Sequence, residues 1–182
     1  HLDTGLLYRA VAARCVALGR LDDPAASEEA ARTLDVTRID PEALRTGALG
    51  EAASVVAARP EVRTALLELQ RRFAAQAPGA VLDGRDIGTV ICPTADVKLF
   101  VTARPEVRAE RRFKELAGRG SPVTFEEVLA DIHRRDERDS QRAGAPLVMA
   151  DDAALLDTSA LGIEEAFAAA LALTQTKMGA GA

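Results

Sequence analysis

Apolar residues recur every three to four positions over most of the chain, and they run together without polar interruption in only a few short stretches. The recurring pattern is typical of amphipathic helices, and the uninterrupted runs are typical of strands buried on both faces. The pattern predicts helices over residues 6–18, 24–34, 51–58, 60–76, 104–117, 124–138 and 163–173. It predicts strands at residues 80–83, 97–102 and 154–157, with the end of a further strand in residues 1–5.

Helices and strands alternate along most of the chain, which favours an α/β fold built on a parallel sheet. The exception is the stretch from Asp23 to Gln76, where some 50 residues carry helices and no strand. Because that is too long for a simple crossover between two strands, we expect these helices to form a mobile subdomain. Residues 35–50 have weak periodicity, and they are predicted to be a connection with about one helical turn.

The composition limits the possible partners. The chain has 182 residues, which fits one domain, and its 28 acidic and 23 basic residues give a net charge of −5. Bulk electrostatics therefore do not favour nucleic acid or an anionic membrane. The sequence shows neither a signal peptide nor an apolar run of transmembrane length, and Cys15 and Cys92 match no metal-binding spacing. We expect a cytoplasmic protein with no metal site built from its own side chains, whose anion sites are local clusters of arginine.

The stretch V-L-D-G-R-D-I-G-T-V, residues 81–90, ends a predicted strand in a glycine that is followed by two opposite charges. Open α/β sheets bind their ligands at the carboxyl ends of the strands. Arg85 can bind a phosphate there through two parallel hydrogen bonds, and Asp86 can accept from an amino group. The alternative for so short a motif is a turn with an ion pair at the surface.

Arg135, Asp139 and Arg142 occur at i, i+4 and i+7, so a helix would place two cations on either side of an anion on one face. One interpretation is a solvated ladder of ion pairs, which contributes little to stability. The other is a phosphate site made by the two arginines, with Asp139 on a sugar hydroxyl.

Arg104, Arg108 and Arg112 repeat at i, i+4 and i+8, with Arg111 beside them. Like charges at this spacing repel one another on a helix. A bound polyanion would explain why the sequence keeps them together, and we expect one to meet this stripe.

Six stretches, found in the order given, extend over nearly the whole chain. They are H-L-D-T-G-L-L-Y-R, E-A-A-S-V-V-A-A-R-P-E-V-R, L-D-G-R-D-I-G-T-V, D-V-K-L-F-V-T-A, R-R-D-E-R-D-S-Q-R-A-G-A-P-L and L-L-D-T-S. Together they resemble the bacterial cytidylate kinases. The resemblance implies a P-loop nucleoside monophosphate kinase that transfers the γ-phosphoryl group of ATP, with Mg²⁺, to CMP or dCMP. We expect a monomer whose partners are these small nucleotides.

The resemblance also implies roles for individual residues. Those expected to contact CMP are Thr4, Arg9, Arg85, Arg135 and Arg142 at its phosphate, Ser54, Arg63 and Asp86 at its base, and Asp139 at its ribose. Among them Arg85, Arg135 and Arg142 are the expected catalytic residues, because phosphoryl transfer depends mainly on positioning and charge neutralisation. Arg108 and Arg112 are expected to lead into a lid over ATP.

The single kinase domain implied by the resemblance has three parts. Its core is expected in residues 1–20, 80–112 and 125–182, its nucleoside-monophosphate-binding insertion in residues 21–79, and its lid in residues 113–124. Residues 35–45 are shorter than in many relatives, which carry a small antiparallel sheet there.

One family motif is absent from the sequence. None of the three lysines follows a glycine, so the phosphate loop G-x-x-x-x-G-K-[ST] does not occur. In the family this loop and the first strand precede the position at which this chain begins. We therefore expect that an N-terminal segment is missing, that the sheet has a gap, and that the chain as given cannot use ATP.

Two other interpretations stay open. One is a related kinase with another acceptor, such as UMP or AMP, although Ser54, Arg63 and Asp86 favour cytosine. The other is a non-catalytic nucleotide-binding protein that lacks the phosphate loop.

Overall fold

A computed structural model describes residues 1–141 and 145–179, and the chain divides into two units, His1–Ile87 and Gly88–Ala182. The first unit contains β1 (Leu2–Asp3), α1 (Thr4–Ala17), α2 (Pro24–Arg32), α3 (Pro41–Leu44), α4 (Gly47–Ala57), α5 (Pro60–Ala74) and β2 (Leu82–Asp83). A π-helical turn, Ile87–Ile91, leads into the second unit. That unit contains β3 (Leu99–Thr102), α6 (Pro105–Gly118), α7 (Phe125–Ser140), β4 (Ala154–Asp157) and α8 (Ile163–Gly179).

Every strand pair in the described residues is parallel. β1 pairs with β2, with Leu2 opposite Leu82 and Asp3 opposite Asp83, and β3 pairs with β4 over four residues. The predicted α/β class with parallel strands is therefore confirmed. In the part of the chain that is described, the strands form two separate pairs rather than one sheet. The predicted gap in the sheet, which the family's first strand would fill, stays a prediction.

The core of the first unit is a helical cluster around α1. Its buried members are Leu7, Tyr8, Val11, Ala12 and Cys15 from α1, Ala30 and Ala31 from α2, Ala52, Ala53, Val56 and Ala57 from α4, and Val62 and Leu66 from α5. Burial of this apolar surface is the main favourable term that holds the four helices together. The helices of the predicted insertion thus share one hydrophobic core with α1. The division into core, insertion and lid stays a prediction.

Capping side chains fix the starts of α2, α3 and α4 in the first unit. Asp23 accepts hydrogen bonds from two main-chain N–H groups at the start of α2, as its position before Pro24 predicts. Asp40 and Thr46 cap α3 and α4 in the same way. In the predicted connection over residues 35–50, α3 confirms the expected helical turn. The prediction is wrong in part, because this stretch also contains a short 3₁₀ helix at Val36–Arg38 and the first turn of α4.

In the second unit α6 and α7 pack together beside a turn. Thr124 begins α7 with the predicted capping box, in which its hydroxyl and the Glu127 carboxylate bond reciprocally to the main chain. The rings of Phe113 and Phe125 meet edge to face with centroids 6.5 Å apart. α6 continues to Gly118 and α8 to Gly179, further than periodicity predicts for either helix. None of the described helices has both the length and the hydrophobicity required to span a membrane.

Candidate functional site

The carboxyl ends of β1 and β2 lie side by side because the two strands are paired in register. The hydroxyl of Thr4 donates to the main-chain carbonyl of Asp83 at 2.7 Å, so the start of α1 is tied to the end of β2. Gly84 follows at once, and a Cβ atom there would overlap the Thr4 hydroxyl and lie 2.9 Å from Cδ1 of Ile87. A side chain at position 84 therefore cannot fit without movement.

Asp3 and Asp83 bring two carboxylates together at this edge, since they are opposite one another in the strand register. Burial, and then the charge of Asp3, raise the pKa of the Asp83 carboxyl, whereas Arg45 lowers it. Nη2 of Arg45 lies 3.7 Å from Oδ2 of Asp3. Among residues 1–141 and 145–179, no group of three or more His, Cys, Asp or Glu side chains is arranged to hold a metal ion.

A buried ion pair links α5 to the segment after β2. Nη2 of Arg63 donates to Oδ2 of Asp86 in a close ion pair, and Nη1 donates to the carbonyl of Ala57 at 3.4 Å. The guanidinium carbon lies 5.8 Å from the centre of the Tyr8 ring, which suits a cation–π contact. Asp86 is 6% exposed and Tyr8 is 9% exposed. Two of the three residues predicted to read the base are thus brought together, 23 positions apart in sequence.

Arg59 fixes the start of the helix that carries Arg63. It is the N-cap residue of α5, and its guanidinium donates to the carbonyl of Leu21 at 2.8 Å and to the hydroxyl of Ser27 at 2.7 Å. Ser27 is fully buried.

Sequence reasoning missed Arg59, Tyr8 and Arg45 as parts of this region, and each looks like an ordinary polar or aromatic residue when taken alone.

Two other predicted CMP contacts in the first unit, Arg9 and Ser54, bond to the main chain. Arg9 donates through Nη1 to the carbonyls of Leu44 and Thr46, both at 2.9 Å, and so links α1 to the connection between α3 and α4. The hydroxyl of Ser54 donates to the carbonyl of Gly50 at 3.1 Å, one turn earlier in α4. Arg85 is exposed whereas its neighbour Asp86 is buried, as expected if the two side chains point in different directions.

The arginines of α6 have polar partners within the second unit. Arg108 forms two hydrogen bonds with the carboxylate of Asp136, at 2.9 and 2.6 Å, and this bonding raises the pKa of the Arg108 guanidinium. Arg111 donates to the carbonyl of Thr158 at 2.6 Å, and Arg112 pairs with Glu115 at 2.7 Å. These contacts offset the repulsion between the arginines without a bound polyanion, and a role of Arg108 or Arg112 toward ATP stays a prediction.

Arg135 and Asp139 both lie in α7. At a spacing of four residues they share one face of this helix, as predicted. Both are partly buried. Arg142, the third member of the predicted group, falls outside the described residues.

Comparison with known proteins identifies the family. A family model described as cytidylate kinase matches residues 1–176. The cytidylate kinase of Azorhizobium caulinodans is 76% identical over 179 residues, which are 98% of this chain and 87% of that protein. The cytidylate kinase of Xanthobacter autotrophicus is 73% identical over 177 residues, 97% of this chain and 85% of that protein. The cytidylate kinase of Caulobacter vibrioides is 61% identical over 170 residues, 93% of this chain and 80% of that protein. These matches confirm the resemblance found in the sequence, and the chain belongs to the cytidylate kinase family.

Proposed function

We propose that this protein serves the transfer of the γ-phosphoryl group of ATP to CMP or dCMP. Membership of the cytidylate kinase family supports the proposal. The structural observation that carries it is the buried pair of Arg63 and Asp86. Cytosine presents an amino donor beside a ring nitrogen and a carbonyl, both acceptors, and this edge complements a carboxylate next to a guanidinium.

The first unit supplies the proposed base reader. Asp86 accepts from the exocyclic amino group of cytosine, and the Arg63 guanidinium and the Ser54 hydroxyl donate to the acceptors beside it. A carboxylate oxygen can accept more than one hydrogen bond, so Asp86 can serve Arg63 and the base together. Uracil would place a carbonyl against this carboxylate, which disfavours UMP as the acceptor.

Arginines are the proposed ligands of the CMP phosphate. In the first unit these are Arg9 and Arg85, with the hydroxyl of Thr4 close to the acceptor phosphate. In the second unit Arg135 binds phosphate and Asp139 binds the ribose, and Arg142 completes the set although it falls outside the described residues. Guanidinium groups stay protonated, so they neutralise the charge that spreads over the transferred phosphoryl group without any proton transfer.

The second unit also holds the proposed contacts to ATP. Arg112 lies in α6, just before the proposed lid of residues 113–124, and is proposed to contact the phosphates of ATP. The pairing of Arg108 with Asp136 disfavours a contact between Arg108 and ATP.

Mg²⁺, when bound with ATP, would neutralise phosphate charge. The donor set at the ends of β1 and β2 fits it, because Mg²⁺ is usually bound by one or two carboxylates together with substrate phosphates and waters. Asp3 and Asp83 would hold the ion, since the strand register brings their carboxylates together. The raised pKa of Asp83 reflects in part the repulsion between these two groups, which a cation would relieve.

The sequence of 182 residues contains no G-x-x-x-x-G-K-[ST] motif. That motif supplies the main-chain N–H groups and the lysine that bind ATP phosphates. A polypeptide of only these residues should therefore bind CMP without transferring phosphoryl from ATP, as a non-catalytic nucleotide-binding protein does. Joining a strand–loop–helix segment that contains the motif in front of His1 should give a chain that transfers phosphoryl from ATP to CMP.

Calorimetric titration of the 182-residue polypeptide with CMP, dCMP, UMP and AMP tests the acceptor. The proposal requires CMP or dCMP to bind at least tenfold more tightly than UMP and AMP, the discrimination expected from one unpaired buried group. Preference for UMP or AMP would establish a related kinase with another acceptor. Phosphorylation of CMP by the polypeptide without an added segment would refute the proposed need for the motif.

A further inference from the structure

The guanidinium of Arg108 uses all three of its nitrogen atoms within the second unit. Nη1 and Nη2 donate to the two carboxylate oxygens of Asp136, at 2.9 and 2.6 Å. Nε donates to the carbonyl of Ala103 at 2.9 Å. Parallel bonds of this kind combine strength with a fixed orientation. An arginine held in this way joins the end of β3, α6 and α7, and it has little freedom to reach a nucleotide.

Asp136 lies on α7 beside the face that carries Arg135 and Asp139. Successive residues on a helix are rotated by about 100°. Asp136 therefore lies about 60° around the helix from Asp139 and about 100° from Arg135, on the flank of the face that these two residues share. Whatever fixes Asp136 also fixes the rotation of that face.

We propose that the ion pair between Arg108 and Asp136 positions the nucleotide-binding face of α7, and that Arg108 is a positioning residue for the acceptor rather than a contact for ATP. The inference rests on the proposed roles of Arg135 and Asp139. The pair acts in two ways. It holds α7 against α6 at one rotation, and it neutralises a carboxylate that would otherwise repel the CMP phosphate and compete for Arg135.

The two partners should not be equally sensitive to substitution. Removing the arginine leaves Asp136 as an uncompensated charge beside an anion site, whereas removing the charge of Asp136 leaves a guanidinium that attracts anions. Both side chains are about one-third exposed, at 32% and 33%, so water screens part of the effect. We expect Arg108→Met to weaken CMP binding about tenfold and Asp136→Asn about threefold, within the range measured for coupled neighbours.

A double-mutant cycle on CMP affinity tests this inference. Calorimetry would compare the wild-type 182-residue chain with Arg108→Met, Asp136→Asn and the double variant. The double variant should bind CMP like Asp136→Asn, about threefold weaker than wild type, and not about thirtyfold weaker as independent effects would give. Arg108→Lys keeps the charge but not the paired bonds, so its affinity should lie between those of Arg108→Met and the wild type.

A matched control and a ligand-free measurement separate positioning from general destabilisation. Glu110→Gln removes a carboxylate from an exposed ion pair with Lys114 in the same helix, and it should leave CMP affinity unchanged. Amide hydrogen exchange in residues 132–140 should accelerate in Arg108→Met and Asp136→Asn but not in Glu110→Gln, while exchange in α8 stays the same. If Arg108→Met does not fold, Arg108→Lys and Asp136→Asn still provide the comparison.

Each outcome supports or overturns the inference. Unchanged CMP affinity in both Arg108→Met and Asp136→Asn is the result that a direct ATP contact predicts, and it would overturn the positioning role. Independent effects in the double variant would overturn it as well. If the wild-type chain binds no CMP, the proposed acceptor function fails and this inference fails with it. If the wild type binds and only the variants contradict expectation, the inference alone fails.

Discussion

Replacing Asp86 with asparagine changes one atom group in the proposed base reader and keeps the shape of the side chain. Asp86 is 6% exposed and is paired with Arg63, so water cannot easily replace a lost partner. An asparagine can turn its oxygen toward Arg63, which then points its NH₂ group at the base. That group would face the amino donor of cytosine but could donate to the carbonyl of uracil.

Two free-energy differences follow from this geometry. With CMP bound, the asparagine NH₂ group and the cytosine amino group would be two donors facing each other in a buried site, and one of them would stay unsatisfied. An unsatisfied buried donor costs about 1–3 kcal/mol, which corresponds to about 5- to 150-fold weaker CMP binding. Asparagine also leaves the guanidinium of Arg63 without an opposite charge in a buried site, which costs about 3–5 kcal/mol of folding free energy. For a chain of this length that lowers the unfolding temperature by about 6–20 °C.

The assay measures binding and folding on the same samples. Calorimetry gives the dissociation constants of CMP and UMP for the wild type and for Asp86→Asn, and thermal unfolding shows that both proteins are folded at the titration temperature. Asp23→Asn is the matched control. Asp23 also pairs with an arginine, Arg20, at 2.6 Å, and asparagine is an equally good helix N-cap, so base preference should not change there.

The result that refutes the reasoning is an unchanged ratio of CMP to UMP affinity in Asp86→Asn. If stability falls while the ratio stays constant, Asp86 serves only to hold Arg63. Loss of binding to both nucleotides by the same factor would mean that the pair shapes the site without distinguishing the bases.

Two further predictions concern the edge formed by β1 and β2. Because burial and Asp3 raise the pKa of Asp83, the folded state binds that proton more tightly, so the free energy of unfolding should fall as pH rises from about 4 through the raised pKa. The fall should be small, since the side chain is 61% exposed, and urea titrations at several pH values should find it absent in Asp83→Asn. Gly84→Ala should cost about 1–3 kcal/mol in urea unfolding because its Cβ overlaps the Thr4 hydroxyl. Gly47→Ala, whose Cβ would meet no atom within 4 Å, should not destabilise the fold, and equal results for the two variants would contradict the clash.

Features that depend on neighbours in the chain could be predicted from the sequence. Asp23 before Pro24 starts α2, and Thr124 with Glu127 starts α7, because capping joins groups that are at most three residues apart. The period of the apolar residues identified most of the helices, and the uninterrupted apolar runs identified β2, β3 and β4. Weak periodicity predicted about one helical turn in residues 35–50 without its position, which Asp40 and Pro41 set at the start of α3.

The pairing of distant side chains was decided only by the tertiary structure. The resemblance assigned Arg63 and Asp86 to the same base, but it did not predict an ion pair between them, and the packing of α5 in the first unit is what places them in contact. The arginine stripe of α6 shows the same limit, because its repeat suggests a polyanion while the fold gives Arg108 an acid 28 residues away. Spacing along one helix determines which side chains share a face, and that much the sequence settled by itself. Which partner each face meets depends on how the helices pack against one another. The hydrophobic effect that drives this packing is non-directional, so it does not by itself select polar contacts, and these are set by the final geometry.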